Sequence, residues 1–238
     1  LELLLVPGKG PQPCPPIVNF IEKYQPELIS ALAPVHSPML CTAIYMKEVK
    51  EIKDDIAFLS PCIGKGDEID DSNTKGYVSY NITYNKLIDY LTENNMILSK
   101  YEDTEFDDLS SGLGILFSRP GGLKENVSYF VEDAWVRQLE GPKHVYEYIS
   151  EFEKDHSHGE ELPLLVDILN CSYGCNFGTG TKQNKLERTM SLDYVDYQFN
   201  KVKQEKASEK IGLFKHNFIF LFYSLKKKGS TTPDAIQR

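Results

Sequence analysis

The segment LPLLVDILNCSYGCNFGTG, residues 162–180, decides how this chain is read. Residues 162–171 are apolar at nearly every position, the pattern of a short strand buried on both faces, as strands of parallel sheets are. The run stops at Cys171, and Cys175 follows in a glycine-rich loop. DDIAFLSPC, residues 54–62, repeats the arrangement, with a buried strand expected over Ile56–Leu59 and a loop carrying Cys62. In parallel sheets covered by helices, sites form in loops beyond the carboxyl ends of strands. Both cysteine loops lie there.

Helices are expected between these strands. In PQPCPPIV, residues 11–18, Cys14 stands between prolines just ahead of Ile17, Phe20, Ile21 and Tyr24, which recur at helical spacing. Pro16 suits the first helical position, where no amide bond is lost. HSPMLCTAIYMKEVKEIK, residues 36–53, offers Ser37 as an N-cap and Pro38 in the first turn. YVSYNIT, 77–83, is a further strand, with Thr83 capping a helix through Leu87, Ile88 and Leu91. The acidic run YEDTEFDDLSSG, 101–112, reads as a solvated linker. GGLKENVSYFVEDAWVRQLEG, 121–141, reads as one helix stopped by Gly141, and another polar helix follows. From Thr181 onward the chain reads as helical and charged. The fold class is therefore α/β, with parallel sheet flanked by helices and a helical C-terminal part.

Length and composition bound the function. With 238 residues, 41% hydrophobic and 26% charged, the chain can bury a sizeable core. A formal net charge of −9 argues against nucleic acid or an anionic membrane as partner. The longest apolar run, FIFLFYSL at 218–225, is well short of the roughly 20 residues of a spanning helix. The opening LELLLVPGKG lacks the basic region and cleavage site of a signal peptide. Five cysteines, an odd number, fit a reducing compartment better than a disulfide framework, so a cytoplasmic protein is expected. His156, His158 and Glu160 read as a solvated loop, and Lys226–Lys228 as a helix end.

Cys14, Cys62, Cys171 and Cys175 share one context, a Gly- or Pro-rich loop next to an apolar segment, whereas Cys41 lies inside a helix as a small hydrophobe. Four thiolates are the number that caps a 4Fe-4S cube, and glycines let backbone N–H groups approach its sulfides. Structural zinc more often uses short cysteine pairs in both halves of its site, and only Cys171 and Cys175 pair locally. That favours a cluster over zinc. A redox disulfide within CSYGC, 171–175, is the other alternative.

Read whole, these loops resemble those of the iron-only hydrogenase large subunit. SPCIGKGDE, 60–68, resembles its P-C-x-x-K-x-x-E loop, and NCSYGCNFGTG, 170–180, its C-x-x-x-C-x-x-G-x-G loop. CPPIVNFIEKYQPEL, 14–28, resembles the signature in which a cysteine-proline pair opens a helix, and GGLKENV, 121–127, the Gly-Gly-x-x-Glu element. The resemblance runs from about Pro13 to Gly180 in family order and lacks the family's usual portion upstream of Cys14.

The resemblance implies a 4Fe-4S cluster held by Cys14, Cys62, Cys171 and Cys175, with Cys175 also able to bridge to a two-iron subsite. Lys65 matches a lysine that bonds a cyanide of that subsite. Glu68 and Glu125 match carboxylates tied to the proton path and its support. The departure is Pro13, which stands where active members carry the proton-relay cysteine and has no ionisable group for general acid–base chemistry. Ile17 replaces an expected tryptophan, and Gly178-Thr179-Gly180 replaces a run of three glycines. These features match a branch that senses redox state or hydrogen. The implied organisation is a cluster-binding domain over residues 1–180 and a helical extension over 181–238. A ferredoxin-type electron donor, or signalling modules upstream and downstream, are the implied partners. A slow hydrogenase and a metal-free interaction scaffold are the alternatives.

Overall fold

A computed structural model of the chain describes residues 14–33, 35–74, 76–104, 112–157 and 162–182, together with isolated helical positions between 193 and 201. Pro13, the centre of the acidic linker, the side chains of His156, His158 and Glu160, Lys226–Lys228 and nearly all of the expected C-terminal helical part lie outside the described residues.

Helix α1, Pro15–Tyr24, begins immediately after Cys14, with prolines in its first turn where their missing N–H groups cost nothing. A 3-10 segment, Pro26–Ala31, follows it. Helix α2, Pro38–Glu48, is capped as expected: the Ser37 hydroxyl accepts the Leu40 N–H at 3.3 Å. Strand β1, Ala57–Ser60, then leads through helix α3, Lys65–Asp70, to strand β2, Tyr80–Thr83. Thr83 caps helix α4, Tyr84–Glu93, directly at the strand's end. Helix α5, Gly122–Phe130, precedes strand β3, Val136–Glu140, which is joined by helix α6, Pro142–Ser157, to strand β4, Leu165–Leu169.

Strands β1 and β2 pair in parallel with Phe58 opposite Asn81. Strands β3 and β4 pair in parallel with Gln138 opposite Asp167. The described chain thus carries two strand–helix–strand units in two separate two-stranded sheets, the α/β architecture expected.

The core follows from the apolar faces. Ile17 and Ile21 of α1, Leu28 and Leu32 after it, Val145, Ile149 and Phe152 of α6, and Val166 and Ile168 of β4 form one cluster. Met39 and Ala43 of α2 pack with Ile69 of α3 and Val78 in a second, smaller one.

Two local expectations are corrected. The first strand lies one residue later than Ile56–Leu59, and it is half covered, with Leu59 41% exposed. Residues 121–141 form a helix and then a strand, not one helix. Leu123, Val127, Val131, Trp135 and Leu139 recur every four residues and mimic a continuous helical stripe. Asp133, at φ 58°, turns the chain into the left-handed region, and residues 136–140 gain more by pairing with β4.

Candidate metal centre

Each expected ligand occupies the end of an element. Cys14 is the residue from which α1 starts, and its carbonyl accepts the N–H groups of Ile17 at 3.0 Å and Val18 at 3.2 Å. Cys62 follows the end of β1, Cys171 follows β4, and Cys175 opens a 3-10 turn, Cys175–Phe177. All four are free thiols and half-buried.

The fold brings the four together. Burial pushes the Cys14 thiol up to about 11, and the neighbouring Cys62 and Cys171 add to the rise. Cys175 is pushed up to about 12, first by burial and then by Cys14, Cys171 and Cys62, while Lys65 opposes the shift. Cys171 is raised by burial and by Cys62. Backbone N–H groups of Asn170 and Ile17 support the Cys14 sulfur, and that of Thr179 supports Cys171. Cys14, Cys171 and Cys175, each raised by burial and by neighbouring cysteines, need a cationic core before they can be thiolates together.

The chemistry of the donor set bears on the group it could hold. Among the described residues, no group of three or more Cys, His, Asp or Glu side chains converges on a single ion. Zinc would need four sulfurs on one centre at bonds of about 2.3 Å. An iron–sulfur cube takes one thiolate on each of its four irons. The donor set fits the cube.

The loops carrying these cysteines are packed too tightly for side chains at three glycines. A Cβ at Gly178 would lie 2.4 Å from the Pro61 carbonyl oxygen, and one at Gly180 would lie 2.9 Å from the Pro61 carbonyl carbon. The Gly180 N–H donates to the Pro61 carbonyl at 2.8 Å, tying the loop after β4 to the loop after β1. Gly174, at φ 80°, leaves no room against Ser118 and Pro120.

Lys65 begins α3 and pairs with Glu68 one turn on, so the lysine beside Cys175 and the first matched carboxylate are coupled. Glu125 pairs with Arg119 at 2.8 Å, in the loop against which the Cys171–Cys175 turn packs. Cys41 stays apart, its thiol donating to the His36 carbonyl at 3.5 Å.

Sequence reasoning missed several residues. The Tyr146 hydroxyl donates to the Asn170 side chain at 2.8 Å, next to Cys171, and its ring packs 4.4 Å from that of Phe20. Burial raises the Tyr146 phenol, and Cys14 and Cys171 add to it. Buried Ser60 accepts the Cys62 N–H at 2.9 Å, and Asn81 of β2 donates to the Cys62 carbonyl at 3.1 Å. Tyr146 sits in the apolar spacing of α6, beside Val145 and Ile149, which was the available signal; Asn81 carried none.

Comparison with known proteins follows the same lines. The family model for the iron-only hydrogenase large subunit, C-terminal domain, matches residues 13–142. The HydA(deltaEFG) structure concerned with stepwise FeFe-hydrogenase H-cluster assembly is similar, with TM-score 0.57 and 18% identity over 86% of this chain and 67% of that one. An FeFe-hydrogenase structure concerned with oxygen inactivation through the two-iron subcluster is similar with TM-score 0.57 and 20% identity, over 87% of this chain and 67% of that one. An apo FeFe-hydrogenase variant from Chlamydomonas reinhardtii gives TM-score 0.56 and 19% identity, over 86% and 67%. At these identities the likeness establishes the fold. No curated protein matches the chain. No helix among the described residues is long and apolar enough to cross a membrane.

Proposed function

The chain belongs to the iron-only hydrogenase large subunit, C-terminal domain family, and from that premise we propose that it holds a 4Fe-4S cluster and serves a redox- or hydrogen-sensing, regulatory role. Cys14, Cys62, Cys171 and Cys175 are its ligands, in a domain spanning residues 1–180, with residues 181–238 as a C-terminal extension. The observation that supports this reading is that the three loops carrying the half-buried cysteines meet: a Cβ at Gly64 would lie 3.2 Å from Pro16 and 3.6 Å from the Cys62 sulfur, and the Gly180 N–H donates to the Pro61 carbonyl at 2.8 Å. When bound, the cluster supplies one-electron redox chemistry. The chain's own residues hold it, shield it and surround it with backbone N–H groups and the Lys65 charge.

Pro13 is the reason for favouring sensing over turnover. A proline offers no proton at the position where active members carry a thiol, so proton delivery by that route is absent. Lys65, placed beside Cys175 and paired with Glu68, supports a second reading, a slow hydrogenase with a two-iron subsite bridged through Cys175. A cytoplasmic setting and exchange of electrons with a ferredoxin-type donor, or with attached signalling modules, accompany the main reading.

Anaerobic reconstitution tests it. About four irons per chain with a broad visible charge-transfer band are expected; a colourless protein with stoichiometric zinc would overturn the cluster. After maturation, Pro13→Cys is expected to raise hydrogen evolution from a low basal rate. High activity in the unaltered protein would remove the argument from Pro13.

A further inference from the structure

Asn81 lies in the middle of β2, opposite Phe58, on the inward side with Thr83. Its amide nitrogen reaches across to the Cys62 carbonyl at 3.1 Å and the Ile63 carbonyl at 3.4 Å. Its own oxygen, Oδ1, is buried without a hydrogen-bond partner among the described residues. Such an orphaned acceptor carries a desolvation penalty, and a native structure that keeps one calls for an explanation. Reversing the amide would give the oxygen no donor and set it against two carbonyls, so the orientation is fixed by the loop it holds.

Neither carbonyl depends on Asn81. The Cys62 carbonyl also accepts the Ser60 hydroxyl at 2.9 Å, and the Ile63 carbonyl also accepts the Gly66 N–H at 3.1 Å. Asn81 thus adds second bonds to satisfied groups while leaving its own oxygen unsatisfied. By local energetics an apolar residue of the same size would serve the strand as well or better.

What Asn81 does supply is orientation. The loop at Cys62 is held from three elements: Ser60 accepts the Cys62 N–H, Thr179 accepts the Ile63 N–H at 3.2 Å, and Asn81 donates to both carbonyls. Cys62 comes from the less covered of the two strand pairs, where little apolar packing fixes its loop.

We propose that Asn81 is a positioning residue for Cys62, holding that sulfur in register with the three other thiols at a cost in folding stability. This rests on the cluster reading above, and residues at protein sites commonly trade stability for such placement.

The test uses Asn81→Leu in the full chain. The thermal midpoint is expected to hold or rise, because an orphaned acceptor is removed and no carbonyl loses its last partner. In the reconstituted protein, iron release to a chelator is expected to quicken about fivefold, the equivalent of one hydrogen bond, and the cluster's midpoint potential is expected to shift. In the iron-free protein, alkylation of Cys62, mapped by mass spectrometry against Cys41, is expected to quicken by a similar factor. A lower thermal midpoint with Cys62 alkylation and iron release both unchanged would make Asn81 a structural residue and overturn the proposal. If the unaltered protein takes up no iron, the cluster reading fails on its own, and the Cys62 alkylation rates still decide the role of Asn81.

Discussion

The two strand–helix–strand units differ in how they are covered. Strand β4 is buried at every position, under a 16-residue crossover helix that contributes Val145, Ile149 and Phe152, with Ile17 and Ile21 of α1 beside it. The β1–β2 pair has a six-residue crossover helix, α3, which contributes only Ile69 to its cluster. Its outer face, with Leu59, Tyr80 and Ile82, is open. Each unit carries a cysteine loop, the β1–β2 unit after its first strand at Cys62 and the β3–β4 unit after its last at Cys171 and Cys175. Packing therefore secures Cys171 and Cys175, whereas hydrogen bonds from Ser60, Asn81 and Thr179 secure Cys62. A site held by one packed unit and one bonded unit will fail first at the bonded side.

The contrast can be broken most directly in the cores. Ile149→Ala is expected to cost about 2–5 kcal/mol in urea unfolding, since it empties part of a closed cluster. A cost no greater than that of substitutions in the β1–β2 pair would end the distinction.

Asp167 sharpens it by pH. This carboxylate is buried in β4 and accepts the N–H groups of Lys124, at 3.1 Å, and of Leu123 where α5 begins. Burial raises it to about 6 and Glu140 adds to the rise, while the two N–H bonds and the Lys124 charge oppose it. Between its ordinary value near 4 and about 6 the folded state binds the proton more tightly than the unfolded chain. Stability contributed by this group is complete below about 4 and is lost as pH rises through 6, by up to about 3 kcal/mol. Asp167→Asn, which keeps an acceptor for the helix, is expected to flatten that slope when unfolding is measured from pH 4 to 7. An unchanged slope would place the charge penalty elsewhere.

The smallest effect is expected on the open face. Ile82, 39% exposed, should cost about 1 kcal/mol or less on replacement by alanine in the same urea assay. A larger loss would mean that the face is covered in solution.

Much of this was legible from local signals. Ser37 and Thr83 announced their helices because a cap is written within a few residues. The run 165–169 announced β4 because a strand buried on both faces has no polar alternation to hide it. Residues 136–140 were misread because their apolar positions continue the four-residue spacing of α5, and only pairing with β4 separates them. Likewise Asn81, Tyr146 and Asp167 look like ordinary strand and helix residues, since their partners are 18 to 43 positions away.

By itself the sequence determined the kinds of group available: four loop cysteines, the prolines around Cys14, Pro13 among them, and the lysine and carboxylates of the second loop. Those are properties of single residues and short spacings. The tertiary structure decided which strands pair, that three loops meet, that the Cys62 loop is held by side chains, and that Lys65 pairs with Glu68. Convergence of distant loops is set by burial of the strands and helices beneath them, and that balance of apolar surface against chain entropy is a sum over the whole fold.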